Sequence, residues 1–264
     1  MEYLYEKLQR LSILIVENTI NEFVDSDFRP AFFEYGIGRG SETATAQNVS
    51  LSNGASIMLT GSVDRVDVWK KDGKVYVRIL DYKSGKKEFS LDDVACGINM
   101  QMLLYLFAIC REPGNAFRYS TGLENGDTPV RAGVVYLSSH MVKQTLNDYS
   151  VSDETVLDNA KQSIARSGII LNDESVLRAM SHSNSSEILL GIESKNGEYV
   201  GKALMSSEDF EALYAQIYST LTEIGESIYS GCADTQPMYP IKSDPCAYCN
   251  YKQICRKNDF GRRR

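Results

Sequence analysis

The chain has 264 residues, 43% of them hydrophobic, enough for one large domain with a sizeable core or one domain with a substantial insertion. Its formal net charge of −7 argues against a general electrostatic grip on nucleic acid, because non-specific binding depends on neutralising phosphates, although the placement of charge matters more than its sum. No apolar run approaches a membrane span and the amino terminus lacks a signal-peptide pattern, so a cytoplasmic location and no membrane partner are expected.

Taken in order, the periodicity predicts a helix over Tyr3–Phe23, with Leu4, Leu8, Leu11 and Ile15 on a face that should pack on a sheet. It starts abruptly at Met1 without a cap, which suggests a piece of a longer polypeptide. After Arg29-Pro30, Ala31–Gly36 reads as a short strand whose single acid is Glu34, and the Gly-, Ser-, Thr- and Asn-rich stretch that follows reads as a loop. Met58–Gly85 then shows two alternating runs around Asp72-Gly73, a strong hairpin signal. With Lys71 facing Lys74, counting back sets Asp64 opposite Asp81; Asp64, Val66 and Val68 share a face with Val77, Ile79, Asp81 and Lys83. Carboxylates opposed at roughly 4.5–5.5 Å between Cβ atoms destabilise a sheet unless a cation or proton sits between them. Oxygen donors with room for water and phosphate suit Mg2+ or Mn2+, and Lys83 is placed to polarise a water or steady a phosphate oxygen. The competing reading is a surface hairpin whose acids answer Arg65, Arg78 and Lys83.

Beyond the hairpin, Ser90-Leu91-Asp92-Asp93 resembles a capping box, opening a helix that should run to about Cys110 with Gln101 and Tyr105 on one face. Pro113–Pro129 reads as loop and Arg131–Leu137 as a further strand beside the hairpin. The stretch from Ser138 to Ser207 is less legible: Asn172 is placed to cap a short helix ending at Met180, and Ser186–Ile192 with Glu198–Leu204 suggest a hairpin around Lys195-Asn196-Gly197. His140 and His182, the two histidines, have no recognisable nucleophile partner, which argues against a Ser-His hydrolase. A long helix over Ser207–Ser230 follows, with Phe210, Leu213, Ile217, Leu221, Ile224 and Ile228 in one stripe and Gly231 ending it. Finally Cys246, Cys249 and Cys255 carry the two-residue and five-residue gaps that recur in zinc and iron–sulfur sites. They supply three ligands, and Cys232 is the nearest candidate for a fourth, while Cys96 and Cys110 lie in the predicted helix. The basic end, Lys252, Arg256, Lys257 and Arg262–Arg264, reads as a solvated tail.

Three motifs in order, Gly61-Ser62-Val63-Asp64-Arg65-Val66-Asp67, then Asp81-Tyr82-Lys83-Ser84-Gly85, then Gln101-x-x-x-Tyr105, resemble the motif series of the RecB-type branch of the PD-(D/E)XK nucleases. The resemblance implies an α/β fold with a restriction-endonuclease-like core, a mixed central sheet flanked by helices, and hydrolysis of DNA phosphodiesters with Mg2+ or Mn2+. It maps Asp64, Asp81 and Lys83 onto the catalytic set. Metal ligation would fall to Asp64, Asp81 and the Tyr82 carbonyl, with Glu34 helping through water, and Gln101 with Tyr105 would orient the DNA strand.

The run Pro245-Cys246-x-Tyr248-Cys249-x5-Cys255 after a long helix, together with Ala132–Leu137 and Gly168–Leu171, is similar to the end of the AddB family, whose members form a helicase–nuclease with AddA in DNA end resection. That resemblance implies DNA and an AddA-like subunit as partners, a role in recombinational repair, and a [4Fe–4S] cluster held by Cys246, Cys249, Cys255 and one upstream cysteine. The upstream cysteine and the family's His on the first nuclease helix are missing, which fits a chain trimmed at its amino end, so the cluster is expected to be absent here; a zinc module is the alternative. The expected organisation is a nuclease core over 1–138, an insertion and long helix packing on it over 139–230, and a cysteine segment over 231–264. The function expected is a metal-dependent DNA exonuclease domain. A catalytically silent DNA-binding module of the same complex and a free-standing Cas4-like nuclease are the alternatives, the latter poorly matched to the long insertion and late cysteines.

Overall fold

A computed structural model of the chain describes residues 2–38, 42–45, 47–85, 88–139, 164–232 and 249–255. In chain order the elements are α1 (Glu2–Asp25), β1 (Arg29–Gly38), β2 (Ala44–Thr45), β3 (Gln47–Ser50), β4 (Ser56–Leu59), β5 (Gly61–Lys71), β6 (Lys74–Lys83), α2 (Leu91–Ala95) and α3 (Gln101–Arg111). There follow α4 (Asn115–Thr121), β7 (Val130–Ser139), β8 (Ile164–Leu171), α5 (Glu174–Met180), β9 (Glu193–Lys195), β10 (Glu198–Val200), β11 (Leu204–Met205) and α6 (Ser207–Tyr229).

The hairpin is the organising unit. Asp72 and Gly73 both take the left-handed backbone (φ 50 and 74), which makes the two-residue turn whose twist matches the strands and pairs Lys71 with Lys74. β1 adds antiparallel to β5, β7 adds parallel to β6, and the seven-stranded sheet runs β11-β8-β7-β6-β5-β1-β2. This is the mixed sheet flanked by helices expected for the fold class. The stretch expected to pack on the core as an addition instead completes its sheet, since β8 pairs antiparallel with β7 and β11 parallel with β8.

The inner strands β6 and β7 are nearly continuous apolar runs, as strands covered on both faces must be. On one face lies α3, buried from Met102 to Cys110 and packed against β7, β6 and β5. Toward the other face α1 contributes a polar surface through its last turns, with Glu22 fully buried. The apolar face predicted for this helix is therefore corrected: Leu8 is 55% exposed, Leu11 and Ile15 are half-buried, and Ile13, Val16, Ile20 and Val24 face outward.

The helix expected to run unbroken to Cys110 is two helices, because Gly97 (φ 79) and Asn99 (φ 60) take left-handed conformations between them. Ser90 does cap the first, accepting from the Asp93 amide. The predicted loop 113–129 contains α4, closed by Gly122 in the left-handed position, and the expected loop after β1 contains β2 and the β3–β4 hairpin. The Asn196-Gly197 turn is correct, but its strands are only β9 and β10, and residues 186–192 form turns. Helix α6 opens on a capping box at Ser206 and closes in a Schellman motif, with the Cys232 amide donating to the Ser227 carbonyl and Gly231 to Ile228. It buries Phe210, Leu213, Ile217 and Leu221, whereas Ile224 and Ile228 remain exposed. Gly225 admits Ile57 and Leu51 so closely that a Cβ there would collide with both.

Candidate active site

The β5–β6 ladder runs from Lys71–Lys74 to Arg65–Leu80 and there its paired residues end. Past that point β5 stays with β1 as far as Gly61–Ile37, and β6 stays with β7 as far as Lys83–Ser138. The hairpin thus forks, and Asp64 and Asp81 sit one residue beyond the last pair, on the face shared with Val66 and Ile79. The Tyr82 amide donates to Asp64 Oδ2 at 2.8 Å, and Lys83 Nζ lies 2.5 Å from Asp81 Oδ2. The idea that a divalent ion alone makes the acids' closeness tolerable needs amending, because a backbone N–H and an ammonium already attend one carboxylate each. Arg65 and Arg78, the other cations considered for these acids, point to the opposite face.

Glu34 lies between Phe33 and Tyr35, which pair with Arg65 and Val63, so it is level with Asp64 on the neighbouring strand. Its backbone is left-handed (φ 50), rare for a residue with a Cβ, and the usual alternation breaks there because Phe33 and Glu34 are both exposed. Among the described residues no three His, Cys, Asp or Glu side chains converge as a ready metal group, so Glu34 does not complete one with the aspartates. The donors at the fork are two carboxylates and the Tyr82 carbonyl, all hard oxygens, and this set fits Mg2+ or Mn2+ with water filling the other positions.

The third motif touches the first. Gln101 Nε2 donates to the Tyr105 hydroxyl at 2.9 Å, and the buried Tyr105 ring ends against Gly61, where a Cβ would overlap the hydroxyl. Glycine at the start of β5 is therefore a packing requirement, and it ties α3 to the strand carrying Asp64. Gly61→Ala is expected to push the buried Tyr105 aside, lowering any cleavage by about tenfold and stability by about 1–3 kcal/mol, as overpacking does; unchanged single-turnover rates would show that Tyr105 does not need this seat.

Tyr136, not singled out in the sequence, pairs with Asp81 across β7 and stacks on Phe89 at 6.4 Å. Burial pushes its phenol well above the usual range, and the nearby Asp81 charge adds to this. Only the parallel register of β6 and β7 brings it there.

On the opposite face lies a buried ionic network that sequence reasoning missed. Arg65 grips Asp67 with Nε and NH2, both at 2.9 Å, reaches Glu22 at 3.2 Å and donates from NH1 to the Tyr82 hydroxyl at 2.7 Å. Arg78 meets Glu22 at 2.7 Å and Asp67 at 2.6 Å, and Arg166 of β8 reaches Glu22 at 3.1 Å and Asn18 at 2.6 Å. Burial alone would raise the Glu22 carboxyl, but Arg78, Arg166 and Arg65 outweigh it and hold the group down to about 2. The available signal was the two-residue alternation, which sets Arg65, Asp67 and Arg78 on the face away from Asp64.

His182 is exposed and bonds Asp27 at 3.0 Å, while His140 lies outside the described residues. Cys246 also lies outside them. Cys249 is exposed and Cys255 is half-buried, and these two, like Cys96, Cys110 and Cys232, carry thiols rather than disulfides. The described cysteines do not make the four-ligand set that an iron–sulfur cluster or structural zinc requires. No described helix is long and apolar enough to cross a membrane.

A sequence model of the PD-(D/E)XK nuclease superfamily matches residues 2–256, and the chain belongs to that superfamily. Its relatives include the B subunit of the ATP-dependent helicase/deoxyribonuclease of Clostridium acetobutylicum, 29% identical over 258 residues, and that of Clostridium novyi, 30% identical over 258 residues. The protein of the same name from Thermoanaerobacter sp. strain X514 is 31% identical over 261 residues. These alignments cover 96%, 96% and 97% of the chain but 21%, 22% and 22% of the relatives, so the chain spans about a fifth of their length.

Proposed function

We propose that the chain is the DNA-cleaving module of an AddB-type subunit, hydrolysing phosphodiester bonds with Mg2+ or Mn2+ as a strand is fed to it during end resection beside an AddA-like partner. The observation that carries this reading is the fork, where Asp64 and Asp81 share a face with Lys83 next to them. Asp64, Asp81 and the Tyr82 carbonyl would hold the ion, with Glu34, level with Asp64 on the neighbouring strand, as the helper. When bound, the ion supplies charge neutralisation at the phosphate and a more acidic water. Lys83, 39% exposed, would orient the attacking water as the ammonium or, once it has given up its own proton to solvent, take one from that water. Gln101, exposed at the start of α3, and Tyr105 beside it set the path of the strand. The net charge of −7 leaves the general grip on DNA to the partner.

One observation favours a second reading. Lys83 already pairs with Asp81 and the Tyr82 amide attends Asp64, so each acid has a partner without an ion, as in a catalytically silent DNA-binding module. Single-turnover assays on end-labelled single- and double-stranded DNA separate the two. Cleavage should require Mg2+ or Mn2+, stop with EDTA and fall by about 10²-fold or more in Asp81→Asn. Binding without cleavage, with and without the AddA-like partner, would favour the silent module, and equal rates in Asp81→Asn would reject the site.

A further inference from the structure

We infer that Tyr82 is a positioning residue: its hydroxyl, held by the buried Arg65 on the back of the sheet, sets the fork that presents Asp64 and Asp81 to an ion on the front. The inference rests on the metal reading above.

Ladder pairing between β5 and β6 stops at Arg65–Leu80, so the segments carrying the two acids, though held to β1 and β7, are no longer paired to each other. Tyr82 bonds across the fork on both faces. Its N–H donates to Asp64 Oδ2 at 2.8 Å on the front, and its hydroxyl accepts from Arg65 NH1 at 2.7 Å on the back. Arg65 is a fixed post. Its guanidinium is fully buried, grips Asp67 through two nitrogens, touches Glu22 and lies 5.2 Å from the Phe23 ring centroid, so it cannot follow a shift of Tyr82. Tyr82 stands between Asp81 and Lys83, and its position therefore fixes its own carbonyl, the Asp64 carboxylate and the peptide linking the acid to the base. A ring serving only as apolar cover would need no hydroxyl, and here it is the hydroxyl that reaches the anchor. The packing of α1 on the sheet, which Glu22 secures through the same arginine, is in this way passed to the site.

Tyr82→Phe in the whole 264-residue chain removes this one oxygen and keeps the ring and carbonyl. Mn2+ binding, followed by electron paramagnetic resonance, is expected to weaken about 10–100-fold, the range seen when the partner of a metal ligand is lost. Amide exchange around residues 64 and 82 is expected to speed up by about tenfold or more while that of α6 stays unchanged. In cleavage, kcat should fall with little change in KM for DNA. Unchanged exchange at the fork would overturn the proposal, and so would faster exchange with undiminished Mn2+ affinity. Faster exchange in Tyr82→Phe, with a parent chain that itself binds no Mn2+, would instead overturn the metal reading, and the positioning role with it.

Discussion

On the proposed function, replacing Lys83 by Ala is expected to lower metal-dependent DNA cleavage by about 10²–10³-fold, the effect of removing one group aimed at charge that develops in the transition state. The side chain is 39% exposed, so its loss leaves no cavity and the melting temperature moves little. Its ammonium lies 2.5 Å from Asp81 Oδ2, and removing it takes away a competitor for that carboxylate. Mn2+ binding in Lys83→Ala should accordingly be retained or tightened while turnover collapses. That combination distinguishes a base or phosphate contact from a merely electrostatic counter-ion, whose loss would weaken the fold of the fork and the ion's geometry together. Single-turnover rates matching the parent at saturating Mg2+ would remove Lys83 from the chemistry.

Glu22→Gln is expected to cost about 3–5 kcal/mol of stability, because it takes from the buried Arg65, Arg78 and Arg166 a carboxylate that all of them share. The same residue dictates a pH dependence. Folding lowers its carboxyl from 4.5 to about 2, so the folded state binds this proton less readily than the unfolded chain. The stabilisation is therefore complete above pH 4.5 and drains as pH falls toward about 2, a shift corresponding to about 3 kcal/mol. Urea unfolding between pH 2 and pH 6 checks both statements: the parent should weaken steeply over that window and Glu22→Gln should weaken less. A variant within 1 kcal/mol of the parent at pH 7, or with the same slope, would show that the network does not depend on this acid.

The two effects belong to opposite faces of one strand pair, and their separation explains what each residue type is for. Asp64, Asp81 and Lys83 lie on the face of Val66 and Ile79, while Arg65, Asp67 and Arg78 face α1 and are sealed from water. Reading Arg65 and Arg78 as surface answers to the acids failed because charge pairing was weighed without the strand's alternation, although that alternation already sets them apart from Asp64.

Much of the candidate site was legible because it is written locally. Asp72-Gly73 can close a two-residue turn, the runs on either side alternate, and together they set the register as far as Arg65–Leu80, one residue short of Asp64 and Asp81. The four-residue spacing of Gln101 and Tyr105 likewise implies a shared helix face, and their hydrogen bond follows. The breaks were harder to see. Asn99 and Gly97 end one helix and start another by single left-handed residues, and α4 hides in a stretch whose Gly, Asn and Pro content resembles loop. Propensity differences of about 1 kcal/mol or less per residue are too small to place such boundaries against burial.

By itself, then, the amino-acid order determined the hairpin, its register and the residue types presented at its open end, since turn geometry and side-chain alternation act over a few residues. Only the tertiary structure decided that β6 would leave β5 for β7 at the acids, that Tyr136 would stand beside Asp81, and that Glu22 and Arg166 would close the network behind Tyr82. Those outcomes join segments far apart in the chain, and they are chosen by competition for burial and by the need to satisfy charges withdrawn from water, which no local pattern encodes.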